Sequence, residues 1–205
     1  MQPIPSAVLF DRRTLHFSTG VHSRTRLMRT RLFYFLLATV SLFPATASAE
    51  NRSTGSAFTA TDVEAFVGYH NKIRSELGVE PVQWSPEIAA YAQKWADRLA
   101  VKGDLEHRPI DGEWARVYGE NLAIDRSIVA CAEAWHSEVK DYPSVVPIPP
   151  DLSDFTAGHY TQMVWRTTKR IGAGVAVVKD GRFKGMTLVV CNYDPPGNMV
   201  GEKPY

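Results

Sequence analysis

Hydrophobic periodicity changes character once along this chain, and the order of the change limits the fold. Three stretches repeat apolar residues at helical spacing, a proline-rich break follows, and two β-compatible stretches close the sequence across an Asp-Gly turn. Helices first and strands afterwards argue for an α+β layered domain, not for βαβ units around a parallel sheet.

The first helix carries Val63, Phe66, Val67, His70, Ile73 and Leu77 on one face and stops at Gly78, with Thr61-Asp62-Val63-Glu64 as its expected capping box. His70 on that face reads as a satisfied core histidine. Ser85 caps a second helix with Pro86 at its first position. Its buried stripe is Ile88, Ala92, Trp95, Ala96 and Leu99, and it ends before Gly103. Residues 113–122 are β-compatible at first and break at Gly119, a strand or a loop. Ser127 starts a third helix, with Ile128, Cys131, Trp135, Val139 and Tyr142 on one face, which Pro143 stops. The prolines of residues 143–154 deny that loop regular structure. A short fourth helix spans 159–165. Strands at 170–178 and 185–193 then pair across Lys179-Asp180-Gly181-Arg182.

Ahead of these elements, Met28-Arg29-Thr30-Arg31 precedes an apolar run at 32–43 and the small triplet Ala47-Ser48-Ala49. A basic start, a short apolar centre and an Ala-x-Ala exit describe a secretory signal peptide at 28–49. The run is shorter than the roughly 20 apolar residues a membrane span needs, so no transmembrane anchor is expected in the mature chain. Residues 1–27 read as an unstructured or mis-assigned leader. Residues 50–60 read as a flexible tether with Asn51-Arg52-Ser53 as a glycosylation acceptor, and 61–205 as the domain.

Cleavage after Ala49 takes Lys plus Arg from 23 to 17 and Asp plus Glu from 22 to 21, so the formal charge of +1 becomes −4. That balance offers nothing to nucleic acid or to anionic lipid. The chain's two cysteines, Cys131 and Cys191, would then meet an oxidising compartment. A single bridge and two separately buried thiols both stay open, since spacing cannot place the Cα atoms within about 7 Å. Catalytic signatures are scarce: there is no Gly-x-Ser-x-Gly elbow, no His-Glu-x-x-His and no phosphate-cradling loop. Glu138 follows Trp135 by three residues and precedes Tyr142 by four, which puts this carboxylate at the edge of an apolar stripe. His136 falls on another face and reads as solvated.

Two segments near the end, Gly158-His159-Tyr160-Thr161-Gln162-Met163-Val164-Trp165 and Cys191-Asn192-Tyr193-Asp194-Pro195-Pro196-Gly197-Asn198, resemble the signature of the CAP superfamily of cysteine-rich secretory, antigen-five and class-one pathogenesis-related proteins. The resemblance implies a secreted, extracellular (periplasmic, in a bacterium) three-layer α-β-α sandwich of the CAP/SCP type. It also implies a cavity tetrad of His107, Glu120 (in Gly119-Glu120-Asn121), Glu138 and His159. In such a tetrad the two histidines, His107 and His159, bind zinc or another divalent metal weakly. The implied function is non-catalytic binding of a small apolar ligand, sterol or fatty acid, or of an extracellular protein partner, by a monomer. The proline-rich loop, with Val145, Val146, Ile148 and Leu152, resembles the lipid-contact loop of sterol-binding members. Two alternatives go with it: a metal-assisted hydrolase or peptidase with Glu120, and Glu138, as catalytic carboxylates, and a precursor whose tail after Asp194 is released as a signalling peptide. Plant members carry several more cysteines than the two found here.

Overall fold

The computed structural model describes residues 7–9 and 54–205. The signal peptide and the Asn51 acceptor lie outside them. In chain order the elements are β1 (Ala7–Leu9), α1 (Ala60–Glu76), β2 (Gln83–Trp84), α2 (Pro86–Lys102), β3 (Gly119–Asp125), α3 (Ile128–His136) running into a 3-10 turn (Ser137–Asp141), α4 (Gly158–Met163), β4 (Arg170–Val177) and β5 (Thr187–Asp194). The strands form one mixed sheet in the order β1-β3-β5-β4-β2, antiparallel except where β2 runs parallel to β4.

Strand alternation assigns the layers. Leu122 and Ile124 of β3 and Leu188 and Val190 of β5 meet Ala92, Trp95, Ala96 and Leu99 of α2. The residues between them, Ala123, Val189 and Cys191, join Tyr193, Ile171 and Ala173 under Phe66, Ile73, Trp135 and Tyr160 of the other helices. One helix covers one face and three cover the other. The result is the three-layer α-β-α sandwich expected.

Helix α2 lies unusually close to the sheet because β4 is bare beneath it. A methyl group on Gly172 would sit 2.2 Å from the Ala89 amide nitrogen, and one on Gly174 would sit 2.4 Å from the Gln93 Cα. Those neighbours are backbone, which cannot rotate away. Gly174→Ala is therefore expected to lower stability by at least about 3 kcal/mol, the upper range for overpacking a core. Urea denaturation measures it, and a loss below about 1 kcal/mol would mean that α2 shifts outward freely.

Several local expectations need correction. The capping box of α1 begins at Thr59, not Thr61: Thr59 Oγ1 accepts from the Asp62 amide at 3.1 Å and Asp62 returns a bond to the Thr59 amide at 2.9 Å. Gly119 opens β3 where the sequence suggested a break. His136 is half-buried instead of solvated, with its Nδ1 3.1 Å from the Tyr69 hydroxyl. Short β1 and β2 carry no periodicity that would announce them, and residues 7–9 pair with β3 where no structure was expected. Cys131 and Cys191 are unbridged buried thiols, and burial pushes both thiol pKa values up.

Candidate functional site

The four tetrad residues come from separate places: His107 from the loop after α2, Glu120 from β3, Glu138 from the 3-10 turn and His159 from α4. Backbone contacts fix the first of these. Trp95 Nε1 donates to the Glu106 carbonyl at 2.8 Å, and Arg108 donates to the Tyr91 carbonyl, so the loop carrying His107 is pinned along α2.

The structure arranges the tetrad as two histidine–carboxylate pairs. His107 Nδ1 lies 2.8 Å from Glu120 Oε1, and His159 Nδ1 lies 2.6 Å from Glu138 Oε1. In each ring, a proton on Nδ1 shared with the carboxylate places the lone pair on Nε2 and sets the orientation of the imidazole. Trp135 stacks on His159 with an interplanar angle of 10° and holds it from the other side.

Both carboxylates are occupied. Glu120, whose side chain is wholly buried, also accepts from the Arg108 amide at 3.0 Å and from Asn192 Nδ2 at 3.3 Å, with Arg108 Nε 3.8 Å away. Glu138 accepts from the backbone amides of His159 at 2.9 Å and Tyr160 at 3.1 Å. Residue 157, which precedes α4, is an alanine with no side chain to cap the helix, so Glu138 supplies the missing acceptor from the 3-10 turn.

The two pairs are joined through β3. Glu120 reaches toward the α2 side, while the neighbouring Asn121 turns to the other face and donates to the His159 carbonyl and the Tyr193 hydroxyl, both at 3.1 Å. Behind them His70 Nδ1 donates to the Phe66 carbonyl at 2.9 Å, so its Nε2 accepts from the Tyr193 hydroxyl at 3.1 Å. His70 is a satisfied core histidine, as its helical position implied, and it braces the backbone of His159 through Tyr193 and Asn121.

Arg108, Asn121 and Asn192 were not singled out from sequence. The two asparagines sit inside the Gly-Glu-Asn and Cys-Asn-Tyr segments, and their polarity on interior strands was the available signal. Gln162 lies against two further glycines, with Trp165 closer still to Gly197. A Cβ on Gly119 would lie 2.3 Å from Gln162 Oε1, one on Gly197 would lie 2.8 Å from Gln162 Nε2, and the Gly197 amide donates to Gln162 Oε1 at 3.0 Å. Three sequence motifs thus interlock around one amide side chain.

The segment after β5 is built into the domain. Ile148 and residues 201–202 exchange backbone bonds at 2.8 Å, the Arg166 amide donates to the Pro204 carbonyl at 2.7 Å, and Asn198 donates to the Gly158 carbonyl at 2.8 Å. In the proline-rich loop, Ile148 and Leu152 are buried with Trp165, whereas Val145 and Val146 remain exposed.

In each pair the carboxylate orients the imidazole beside it. Among the described residues no group of three or more His, Cys, Asp or Glu side chains is placed to hold a metal ion. A tight structural zinc site, which takes four ligands, is not what these residues present. No helix among the described residues is long and apolar enough to cross a membrane.

Comparison with known proteins agrees with the geometry. The chain is 39% identical over 143 residues to Pathogenesis-related protein 1 of Arabidopsis thaliana, covering 68% of this chain and 80% of the relative. It is 29% identical over 195 residues to Venom allergen 5 of Microctonus hyperodae, covering 82% of each. A solved structure described as "Crystal structure of NaASP2 with Zn2+" superposes with a TM-score of 0.60 at 22% identity, covering 72% of this chain and 86% of the other, and so shares the fold. Residues 67–193 match the family described as "CAP: Cysteine-rich secretory protein family". The chain belongs to the CAP family of cysteine-rich secretory proteins.

Proposed function

We propose that this protein is a secreted, non-catalytic binding domain that takes a small apolar ligand at the proline-rich loop, beside a His/Glu cavity that a divalent cation tunes. The observation that carries the non-catalytic reading is the engagement of both carboxylates. A general base needs a carboxylate lone pair aimed at a substrate proton. Glu120 is buried and accepts from His107, the Arg108 amide and Asn192, while Glu138 accepts from His159 and two backbone amides. Both act as anchors that orient imidazoles. Release of the tail after Asp194 is likewise disfavoured, because its bonds to Ile148, Arg166 and Gly158 would all be lost.

Exposed Val139, Val145 and Val146 lie on either side of Tyr142 in the sequence, close to the Glu138 anchor. An apolar lip of this kind suits a sterol or a fatty acid. Binding of radiolabelled cholesterol and palmitate to the purified protein tests the reading. Val146→Asp is expected to weaken binding at least about tenfold by placing a charge on the contact surface. Absence of saturable binding to either lipid would overturn it. For the cation, calorimetry with Zn²⁺ is expected to show weak binding that His159→Ala removes, and an unchanged titration in that variant would reject the assignment.

A further inference from the structure

A cavity of about 290 Å³ lies between α2 and the loop that carries His107, lined by Trp95, Arg98, Leu99, Lys102, Glu106, Pro109 and Trp114. Its size is near the lower end for small-molecule sites, which run from about 300 Å³ upward. None of its lining residues belongs to the tetrad or to the proline-rich loop.

The walls are aromatic and the charge is positive. The indoles of Trp95 and Trp114 lie 5.7 Å apart at 42°. The Arg98 guanidinium sits 5.7 Å and 5.2 Å from their ring centres, and Arg108, buried behind them, sits 5.1 Å and 5.6 Å away. Glu106 is the one acid in the lining and it is paired with Lys102. The cavity therefore carries an excess of cations. Cation–π contact with the two indoles restricts the exposed Arg98 side chain and so reduces the entropy lost when its planar donors take a planar acceptor.

We propose that this cavity binds a small planar carboxylate with a flat apolar body, the carboxylate on Arg98 and the body against Trp114, Leu99 and Pro109. A neutral ligand would forgo the charge-assisted bond to the Arg98 guanidinium. A cationic ligand would face Arg98 and Arg108 together. Arg108, behind the indoles, lies 3.8 Å from Glu120 through its Nε, so the cavity backs onto the His107–Glu120 pair.

Tryptophan fluorescence and calorimetry with 1-naphthoate and its neutral analogue 1-naphthamide test this on the secreted protein. Naphthoate is expected to bind saturably at one site, at least about tenfold tighter than the amide, as a charge-assisted hydrogen bond implies. Arg98→Gln should reduce naphthoate to the level of the amide, and Trp114→Leu should weaken both ligands by about two- to tenfold. Arg98 is exposed and Trp114 half-buried, so both variants keep the core. Val146→Asp should leave naphthoate binding unchanged, which separates this site from the apolar lip. Equal affinity for acid and amide, no saturable binding, or full affinity retained in Arg98→Gln would overturn the proposal.

Discussion

Replacing Arg74 with methionine is expected to remove about 4 kcal/mol of stability, enough to leave a domain of ordinary stability marginal. Arg74 is completely buried on α1, and among the described residues no ion pair to a carboxylate involves it. Its guanidinium donates to four backbone carbonyls instead: Glu80 at 2.7 Å and Met163, Trp165 and Thr168 each at 3.0 Å. Met163 and Trp165 lie at and just past the end of α4, where carbonyls lack helical partners. One cation therefore closes the C-terminal end of the helix whose N-terminal end Glu138 caps. Burial pulls the guanidinium pKa down to about 10, so it stays charged at neutral pH. Methionine matches the apolar stem but removes every one of these donors, leaving the Trp165 carbonyl only its bond from the Thr168 amide, and this accounts for the size of the loss. Arg74→Lys is expected to fall between, because an ammonium with three donors cannot span the same four acceptors. Urea denaturation of the three proteins measures the series, and a methionine variant within about 1 kcal/mol of the parent would refute this account.

The second large effect is a loss of stability in mild acid that traces to His70. Burial, with Arg74 nearby, lowers its pKa from 6.5 to about 4. The unfolded chain, with His70 near 6.5, therefore binds more protons than the folded one between pH 4 and 6.5. Stability from this group is complete above pH 6.5 and falls as pH drops through the window, by about 3 kcal/mol in all. The geometry explains the sign: Nε2 accepts the Tyr193 hydroxyl proton, and protonating it would set two donors against each other inside the core. Unfolding free energies of the parent and of His70→Gln from pH 7 to pH 4 provide the test. The parent should show the extra slope and the variant should lack it, and parallel curves would exclude His70 as the source.

Much of the fold was legible because its signals are local. Ser85 with Pro86 and Gly103 delimit α2 as their capping chemistry requires, and the side-chain oxygen of Ser127 does cap α3. β4 and β5 pair as an antiparallel hairpin as expected, but their connection runs over residues 178–186, with Gly181 at φ 77° at one turn of it. What was misread depends on partners far along the chain. Gly119 breaks a pattern locally, yet it opens β3 by pairing with Tyr193 of β5, and Gln162, 43 residues later, occupies the space where its side chain would be. His136 looked solvated on its own helix, but Tyr69 from α1 covers it.

The candidate site divides along the same line. The resemblance to the CAP superfamily named His107, Glu120, Glu138 and His159; from the residues themselves only the position of Glu138 at the edge of an apolar stripe pointed to a partner. Periodicity and capping likewise determined the layered class and the body of the helices, because those depend on residues within about one helical turn of each other, but α3 ends at His136 and the exposed Val139 falls in the 3-10 turn after it. Only the tertiary structure decided that the four residues act as two separate His–Glu pairs. It also decided that both carboxylates are consumed in orienting rings and backbone, that Cys131 and Cys191 stay apart, and that Arg74 and His70 brace α4 from beneath. Those outcomes are set by distances between side chains on elements that meet only after the sheet has formed, and no spacing along the chain encodes them.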